Sequence, residues 1–422
     1  MQVFKNKIPA ILALICVAAL LCSGCGLFRP LDGTTPGTDP VQSGTDSEDI
    51  TQPADTDTDT QPPVTDPPET TVPPQTEQRV SILAVGDNII HEAVFTDAKK
   101  RAADGQKYDF VPMYTGVADK ISAADIAFVN HESPLAGEEY GISGYPTFNS
   151  PREAAEALVE IGFDVINLAN NHILDKRVIG ARSTVEYVQS LPVTELGVYL
   201  DEEDHNALRI TEVNGIRIAW LSFFDLTILQ YNPDMTGIVI PLMDNDEVIR
   251  SEIQNAKAKA DFVIVSAHWG REQFQVTKEQ KRVASLMAES GADVILGHHS
   301  HIIQPVEWHD NADGSRTLIT YSLGNFISTQ YYDYNMVGGM LNFDIVKKDG
   351  VCSLENPVLD ITVTQYSKNR DSLQVYLLED YTDDLANAHG CTLKHSPDFS
   401  LAWIDSHVRG IVAEEFLPAY FE

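Results

Sequence analysis

From Arg79 onward, short apolar runs rich in Val, Ile and Leu alternate with stretches of helical spacing. This alternation predicts strands and helices that follow one another along the chain, which is typical of an α/β domain. Two helix starts carry capping sequences, SPRE at 150–153 and TKEQ at 277–280, in which an acid or amide stands three residues after the cap. A buried strand is predicted after each helix.

Six of the apolar runs are followed directly by a polar cluster. The runs are VSILAV, DIAFV, FDVINLA, DFVIVSA, ADVIL and TLITYSL, and their clusters are in turn Gly86-Asp87-Asn88, Asn130-His131-Glu132, Asn170-Asn171-His172, His268-Trp269-Gly270, Gly297 to His301, and Gly324-Asn325-Phe326. Ligands of open α/β sheets bind outside the carboxyl ends of the strands. The sequence therefore predicts one crevice in which Asp, Glu, Asn and His side chains gather.

The strongest of these signals is LGHHSHIIQP, because His299 and His301 alternate as neighbours on one face of a strand would. Taken singly, the clusters have ordinary explanations: Gly-Asp and Gly-Asn form turns, His172 could cap a helix, and His268 could be a buried histidine with satisfied hydrogen bonds. Their joint occurrence at six strand ends favours a metal site.

The residue types at this site limit which ions it would bind. Imidazole, carboxylate and amide donors without a thiolate suit Mn, Fe, Zn or Co, as one or two divalent ions. Two ions about 3.5 to 4 Å apart would polarise a scissile group and activate water. No serine elbow, phosphate-binding glycine loop or dinucleotide fingerprint is found in the sequence.

The N-terminal region predicts export and attachment to a membrane. Residues 1–25 carry two lysines ahead of a short apolar stretch, and LLCSGC resembles a lipobox in which Cys25 becomes the lipidated N-terminus. Cys22 stands where leucine is usual, so an uncleaved anchor remains an alternative. Residues 26–78, rich in Thr, Pro and Asp, predict a disordered acidic tether.

Charge excludes one class of partner. The chain has a formal net charge of −33, and setting aside the tether (−10) and the signal (+2) leaves −25 on residues 79–422. Such a surface disfavours nucleic-acid binding. Cys352 and Cys391 are the cysteines of the folded part, and whether they form a disulfide stays open.

Six ordered motifs resemble a known family: VGDNIIH, FVNHESPLA, NLANNHILD, SAHWGRE, LGHHSHIIQPVE and YSLGNFIS are similar to the bacterial capsule-synthesis CapA proteins, associated with poly-γ-glutamate and related to calcineurin-like metallophosphatases. The resemblance covers about residues 80–345. It implies a four-layer αββα sandwich. We place this domain at 79–365 and a small C-terminal helical extension at 366–422.

Residue roles follow from the resemblance, position by position. The implied metal ligands are Asp87, Glu132, Asn171, His268, His299 and His301. His172 is the implied acid, beside Asn171. Residues expected to contact substrate or support the ligands are His91, Asn130, Arg271, Gln304 and Asn325. The first-strand Asp-x-His of metallophosphatases is absent, since the nearest histidine, His91, lies four residues after Asp87, and this puts the first metal in doubt.

The leading hypothesis is a lipid-anchored hydrolase on the outer face of the cell membrane, acting on an anionic polymer such as poly-γ-glutamate. A membrane synthase complex is a further expected partner. The net charge of −25 would repel such a polymer unless metal ions or the basic residues near Arg271 bridge the two. The alternatives are a non-catalytic accessory protein that tethers the polymer or the synthase, and an extracellular metallophosphoesterase.

Overall fold

The computed structural model describes residues 77–229, 233–393 and 395–421. The predicted export signal, most of the predicted tether and Cys25 lie outside the described residues. Within those ranges, no helix has the length and apolar character needed to cross a bilayer.

The described strands follow one another along the chain as β1 (Gln78–Asn88), β2 (Ile126–His131), β3 (Val165–Asn167), β4 (Thr194–Leu196), β5 (Arg209–Val213), β6 (Ile216–Phe224), β7 (Phe262–His268), β8 (Val294–His298), β9 (Val306–Asp310), β10 (Arg316–Thr320), β11 (Asn325–Ile327), β12 (Val337–Lys348), β13 (Val351–Gln365) and β14 (Gln374–Leu377). The α-helices are α1 (Glu92–Arg101), α2 (Ala118–Ala123), α3 (Glu153–Glu160), α4 (Arg177–Val188), α5 (Glu202–Asn206), α6 (Asp246–Lys257), α7 (Lys278–Glu289), α8 (Asp383–Ala388) and α9 (Leu401–Arg409).

The larger sheet is built around β1. Its strand order is β14-β13-β12-β1-β2-β3-β4, and β11 also pairs with the end of β1. Strands β1 to β4 run parallel, whereas β12, β13 and β14 are antiparallel to their neighbours. Because parallel strands end at the same edge, the polar clusters after β1, β2 and β3 meet there.

The smaller sheet has the order β5-β6-β7-β8-β10-β9. Strands β6, β7, β8 and β10 run parallel, and β5 and β9 form antiparallel edges. His268 at the end of β7 lies opposite His298 at the end of β8. The smaller sheet therefore has its own set of parallel strand ends, and these ends are rich in histidine.

Alternate residues of β6 reveal the layers. Ile218 and Trp220 join the core of the larger sheet, where Trp220 stacks on Phe128 with ring centroids 5.9 Å apart. Leu221 and Phe223 pack instead with buried residues of α6 and α7. Helices α1 to α4 contribute buried residues to the core of the larger sheet. The two sheets thus pack face to face with helices outside them, and the predicted α/β sandwich is confirmed.

The two predicted helix starts differ in outcome. Thr277 and Gln280 form the reciprocal capping box at the start of α7 that TKEQ indicates. In contrast, α3 begins at Glu153 without a side-chain cap, and the Ser150 hydroxyl donates to the Ser133 hydroxyl at 2.7 Å. The predicted cap at Ser150 is wrong because this buried serine ties down the loop after β2 instead.

The C-terminal part is less helical than its sequence indicates. Residues 374–377 form β14, in which Val375 and Leu377 are buried, whereas Gln374 and Tyr376 are only partly buried. This alternation of two suits the edge of a sheet better than a helix. Helices α8 and α9 do form farther on. Cys352 and Cys391 are both free thiols in the structure.

Candidate metal centre

Five predicted ligands meet where the strand ends of the two sheets face each other. Asp87 is the second-to-last residue of β1, and Glu132 directly follows β2. His268 ends β7, and His299 and His301 follow β8. Each is at most 3% exposed. Segments up to 214 residues apart in sequence thus deliver nitrogen and oxygen donors to one pocket.

The donor atoms form two groups that share one carboxylate. Asp87, Glu132 and His268 present ligand atoms within 4.8 Å of one another, and so do Glu132, His299 and His301. Glu132 belongs to both groups. A shared carboxylate between two sets of donors is the arrangement that places two ions side by side.

Glu132 has the environment of a metal ligand. Neither carboxyl oxygen has a hydrogen-bond partner among the described residues. The Nε2 atoms of His268 and His301 each lie 3.7 Å from Oε1, too far for a hydrogen bond. Burial, and next the charge of Asp87, raise the pKa of Glu132 well above its usual range. Buried carboxylates are rarely left unpaired, so this one points to a site that binds a cation.

Asp87 is held in its ionised form. Its Oδ2 lies 3.0 Å from Nδ1 of His301, and its Oδ1 accepts from Nδ2 of Asn130 at 2.8 Å. Burial acts to raise the pKa of Asp87, but hydrogen bonds to His298 and His301 outweigh it and lower this pKa well below its usual range. Asp87 therefore offers a full negative charge to the pocket.

Two of the ligand histidines, His268 and His299, are held neutral. Burial, and then the charge of His301, lower the pKa of His299 to about 3. Burial likewise lowers the pKa of His268 well below its usual range. A neutral imidazole has a lone pair to donate, which is the form that a metal ligand requires.

The two histidines of the His-x-His reach the pocket by a route that strand alternation does not predict. Strand β8 ends at His298, and the φ angles of His299 and His301 are 89° and 58°. Such left-handed backbone is strained for histidine and clusters at functional sites. A turn, and not a strand, therefore aims both rings at Glu132.

These residues fit a divalent transition metal. The donors are imidazole nitrogen and carboxylate oxygen, they are buried, and one central carboxylate has no protein partner. Mn, Fe, Zn and Co are compatible with this donor set.

Asn171 and His172 lie at the open side of the pocket. Oδ1 of Asn171 is 2.9 Å from Nε2 of His268, so the amide is adjacent to the ligand groups. Nδ1 of His172 is 2.9 Å from Oδ2 of Asp175, and its ring packs edge-on against Phe148 at 4.6 Å. Because Nδ1 is engaged by Asp175, the Nε2 atom of His172 is the one left for a substrate.

The remaining predicted residues differ in their surroundings. Asn130 joins Asp87 to Asn167, and Asn325 donates to Gln330 at 2.8 Å. His91 accepts from the Thr329 backbone N–H at 3.3 Å and lines a neighbouring cavity.

Two other predicted residues lie apart from the ligand groups. Gln304 is buried, accepts from Gln280 at 3.1 Å and donates to the Phe274 carbonyl at 2.8 Å. Arg271 is exposed, with its guanidinium 5.9 Å from the Phe274 ring. Their contacts hold or cover the loop before α7, which sequence spacing alone does not indicate.

Three residues near the centre were missed by the sequence prediction. Asp175 orients His172, and its position three residues after that histidine was the sequence feature that could have indicated this contact. His298 places Nδ1 3.5 Å from Oδ1 of Asp87. His131 lies beneath the pocket with Nδ1 2.9 Å from Nδ2 of Asn88. Both histidines were visible in the motifs, but sequence does not tell which histidine of a cluster faces inward.

Comparison with known proteins places these motifs in a family. Residues 81–330 match the family described as bacterial capsule synthesis protein PGA_cap. All six motifs lie inside the matched residues, so the predicted family resemblance is confirmed.

Three relatives illustrate the similarity. PGA biosynthesis protein CapA of Bacillus subtilis (strain 168) is 28% identical over 313 residues, covering 72% of this chain and 78% of that protein. Capsule biosynthesis protein CapA of Bacillus anthracis is 29% identical over 220 residues, covering 50% and 51%. A probable polyglutamine synthesis accessory protein of Mycobacterium tuberculosis is 24% identical over 240 residues, covering 53% and 59%. The aligned region spans as little as half of a relative's length.

Proposed function

We propose, from the premise that this chain belongs to the bacterial capsule synthesis protein family PGA_cap, that it is a metal-dependent hydrolase acting on an anionic polymer of the cell envelope. The polymer we propose is poly-γ-glutamate, because relatives are named for PGA and capsule biosynthesis. The reaction we propose is cleavage of its amide links during synthesis or release.

The observation that carries this proposal is the environment of Glu132. A carboxylate that is 0% exposed, without a hydrogen-bond partner among the described residues, lies between two sets of donors. A purely structural role would leave the cost of burying this group without compensation. A cation bound between the two sets of donors would offset the free-energy cost of burying the Glu132 carboxylate.

Asp87, Glu132, His268, His299 and His301 would hold the metal, with Asn171 beside them. When bound, the metal polarises the scissile carbonyl and lowers the pKa of bound water. Asp87 is kept ionised and His299 neutral by their surroundings, so both are in the form that binding requires.

His172 would supply the proton to the leaving amine. Its Nδ1 faces Asp175 at 2.9 Å, which fixes the tautomer and the direction of Nε2. Its side chain is 15% exposed, between the buried centre and solvent. Phe148 packs on the ring and restricts its rotation. This combination suits a general acid that meets substrate from one side only.

The location we propose is the outer face of the cell membrane. The apolar N-terminal stretch and the lipobox-like LLCSGC support lipidation at Cys25, and residues 26–78 would serve as the tether. In this arrangement the domain at 79–365 and the extension at 366–422 work close to the membrane, where a synthase complex would deliver polymer.

The test compares two substrates with the full mature protein. We expect release of shorter chains from poly-γ-glutamate, loss of this release after dialysis against a chelator, and its recovery when Mn or Zn is restored. Bis(p-nitrophenyl) phosphate serves as the generic phosphodiester. Faster metal-dependent cleavage of that ester, with no polymer cleavage, would assign the site to phosphoester chemistry.

One observation favours a second candidate function. A relative in Mycobacterium tuberculosis carries the name of a synthesis accessory protein. An accessory role needs the fold and the bound metal but no chemistry. Metal bound at full stoichiometry, with neither substrate cleaved, would support this second function.

A further inference from the structure

A cavity of about 380 Å³ opens beside the metal centre. It is lined by His91, Glu92, Ala93, Tyr145, Glu272, Thr329, Gln330, Tyr331 and Arg370. Arg370 is the one lysine or arginine among these lining residues. It also lies outside residues 81–330, which match the family.

Direct contacts connect this cavity to the proposed acid. The guanidinium of Arg370 donates to the Thr329 carbonyl, and the Thr329 N–H donates to Nδ1 of His91. The His91 ring packs edge-on against Phe148 at 5.4 Å, and Phe148 also contacts His172. A ligand in the cavity would therefore lie next to the catalytic pocket and not on a separate face.

Arg370 is fixed in place but not neutralised. Its guanidinium lies 4.4 Å above the centre of the Tyr331 ring and donates to Tyr331 Oη at 2.8 Å. The Nε group is buried without a partner, and no carboxylate lies within salt-bridge distance among the described residues. Two of its four Nη N–H groups are used, so one N–H on each Nη atom remains to donate to a ligand.

The backbone around Arg370 has a conformation that is uncommon for residues other than glycine. Arg370 and Ser372 have φ angles of 57° and 56°, in the left-handed region. Two backbone hydrogen bonds close this turn, from Ser367 N–H to the Asp371 carbonyl at 2.7 Å and from Arg370 N–H to the Ser367 carbonyl at 2.8 Å. Such conformations persist only where the surroundings enforce them, and they cluster at binding sites.

We propose that Arg370 binds a single carboxylate of a polymer chain whose neighbouring amide bond lies at the metal centre. This inference rests on the proposed function and adds its substrate-selecting residue. The planar fork of arginine matches a carboxylate. Glu92 and Glu272 also line the cavity, and their charges disfavour a dianionic phosphate there. Tyr145, whose ring is exposed, offers an aromatic face to the methylene groups of a glutamyl residue.

The proposed role of Arg370 also explains how a domain with a net charge of −25 could bind an anionic polymer. A domain of net charge −25 attracts no polyanion at long range. One partly buried arginine that has no carboxylate partner among the described residues acts at short range, where screening by salt is weak. Selection of the polymer would then depend on local contact and only weakly on ionic strength.

The test measures binding by calorimetry, with metal-loaded full-length mature protein and a short γ-linked glutamate oligomer. Arg370→Gln should weaken binding by about 10- to 100-fold, as expected for a lost charge-assisted hydrogen bond. The matched control is Arg316→Gln, since Arg316 also stacks on an aromatic ring, at 4.3 Å from Trp308, but at the start of β10. The control should bind like the wild type.

A ligand-side comparison needs no protein variant. The neutral analogue, a γ-linked oligomer in which each free α-carboxylate is a carboxamide, should bind wild-type protein about as weakly as the glutamate oligomer binds Arg370→Gln. Equal binding of the two oligomers by wild type, or of the glutamate oligomer by wild type and Arg370→Gln, overturns the role of Arg370 and leaves the proposed function intact. Absence of any oligomer binding by metal-loaded wild type overturns the proposed substrate as well.

Discussion

Replacing Glu132 by Gln should lower the metal retained after dialysis by at least about tenfold and polymer cleavage by about 100- to 1,000-fold. The substitution preserves shape while it removes the charge that both donor groups share. Elemental analysis and the cleavage assay measure the two effects. The matched control is Glu195→Gln, another buried glutamate but one paired with Arg209 at 3.1 Å, which should retain metal.

The same substitution should have opposite effects on stability with and without metal. Burial and Asp87 raise the pKa of Glu132, so the ionised form destabilises the metal-free fold at neutral pH. Metal-free Glu132→Gln should therefore unfold at the same temperature as wild type or higher. Added metal should raise the unfolding temperature of wild type alone, because only wild type binds it well. A metal-free variant that unfolds at a much lower temperature would indicate a structural role for Glu132.

Replacing His172 by Gln should lower polymer cleavage by about 100- to 10,000-fold while metal content stays at the wild-type level. The loss should be much smaller for a substrate that releases p-nitrophenolate, since this leaving group departs without a proton. Dependence of the loss on the leaving group identifies an acid and distinguishes it from a binding residue. Equal losses for good and poor leaving groups would rule out the acid role.

Asp175→Asn keeps the imidazole and removes the carboxylate that orients it. We expect a smaller loss of cleavage, of about 10- to 100-fold, with metal content unchanged. The control is His309→Gln, because His309 also lies near a carboxylate, 3.5 Å from Glu289, but at the edge of the smaller sheet. That variant should cleave polymer like the wild type.

The fold and the place of the site could be predicted because both depend on local pattern. Parallel strands of one sheet end at the same edge, so the polar clusters after β1 and β2 have to meet, and so do those after β7 and β8, if the strands are assigned correctly. The hydrophobic runs of the sequence identify these strands well. The predicted convergence of Asp87 and Glu132 follows from this alone, whereas His268 joins them only because the two sheets pack with these strand ends together.

Side-chain direction after a strand ends could not be predicted in the same way. The His299 and His301 rings meet Glu132 through left-handed backbone, which strand alternation does not describe. His298, in contrast, still belongs to β8 and lies near Asp87. Periodicity loses its meaning at the residue where the regular hydrogen bonding stops.

Arg370 is a second kind of residue whose place at the site could not be predicted from the sequence. It reaches the cavity from a turn after β13, and its contacts to Thr329 and Tyr331 join segments about 40 residues apart in sequence. No motif marks it, because its use depends on how β13 and β14 carry the chain back across the sheet. Arg271, which the family resemblance places among the residues expected to contact substrate or support the ligands, lies exposed.

The central claim is that the donors around Glu132 bind a metal ion, and anomalous diffraction tests it most directly. Crystals of protein purified without chelator, measured at the absorption edge of the metal found by elemental analysis, should show a peak about 2.0 to 2.3 Å from a Glu132 carboxylate oxygen. We expect His268, or His299 and His301, in the same coordination sphere. A fully active protein with no peak in this pocket, or with its metal bound elsewhere, would contradict the account.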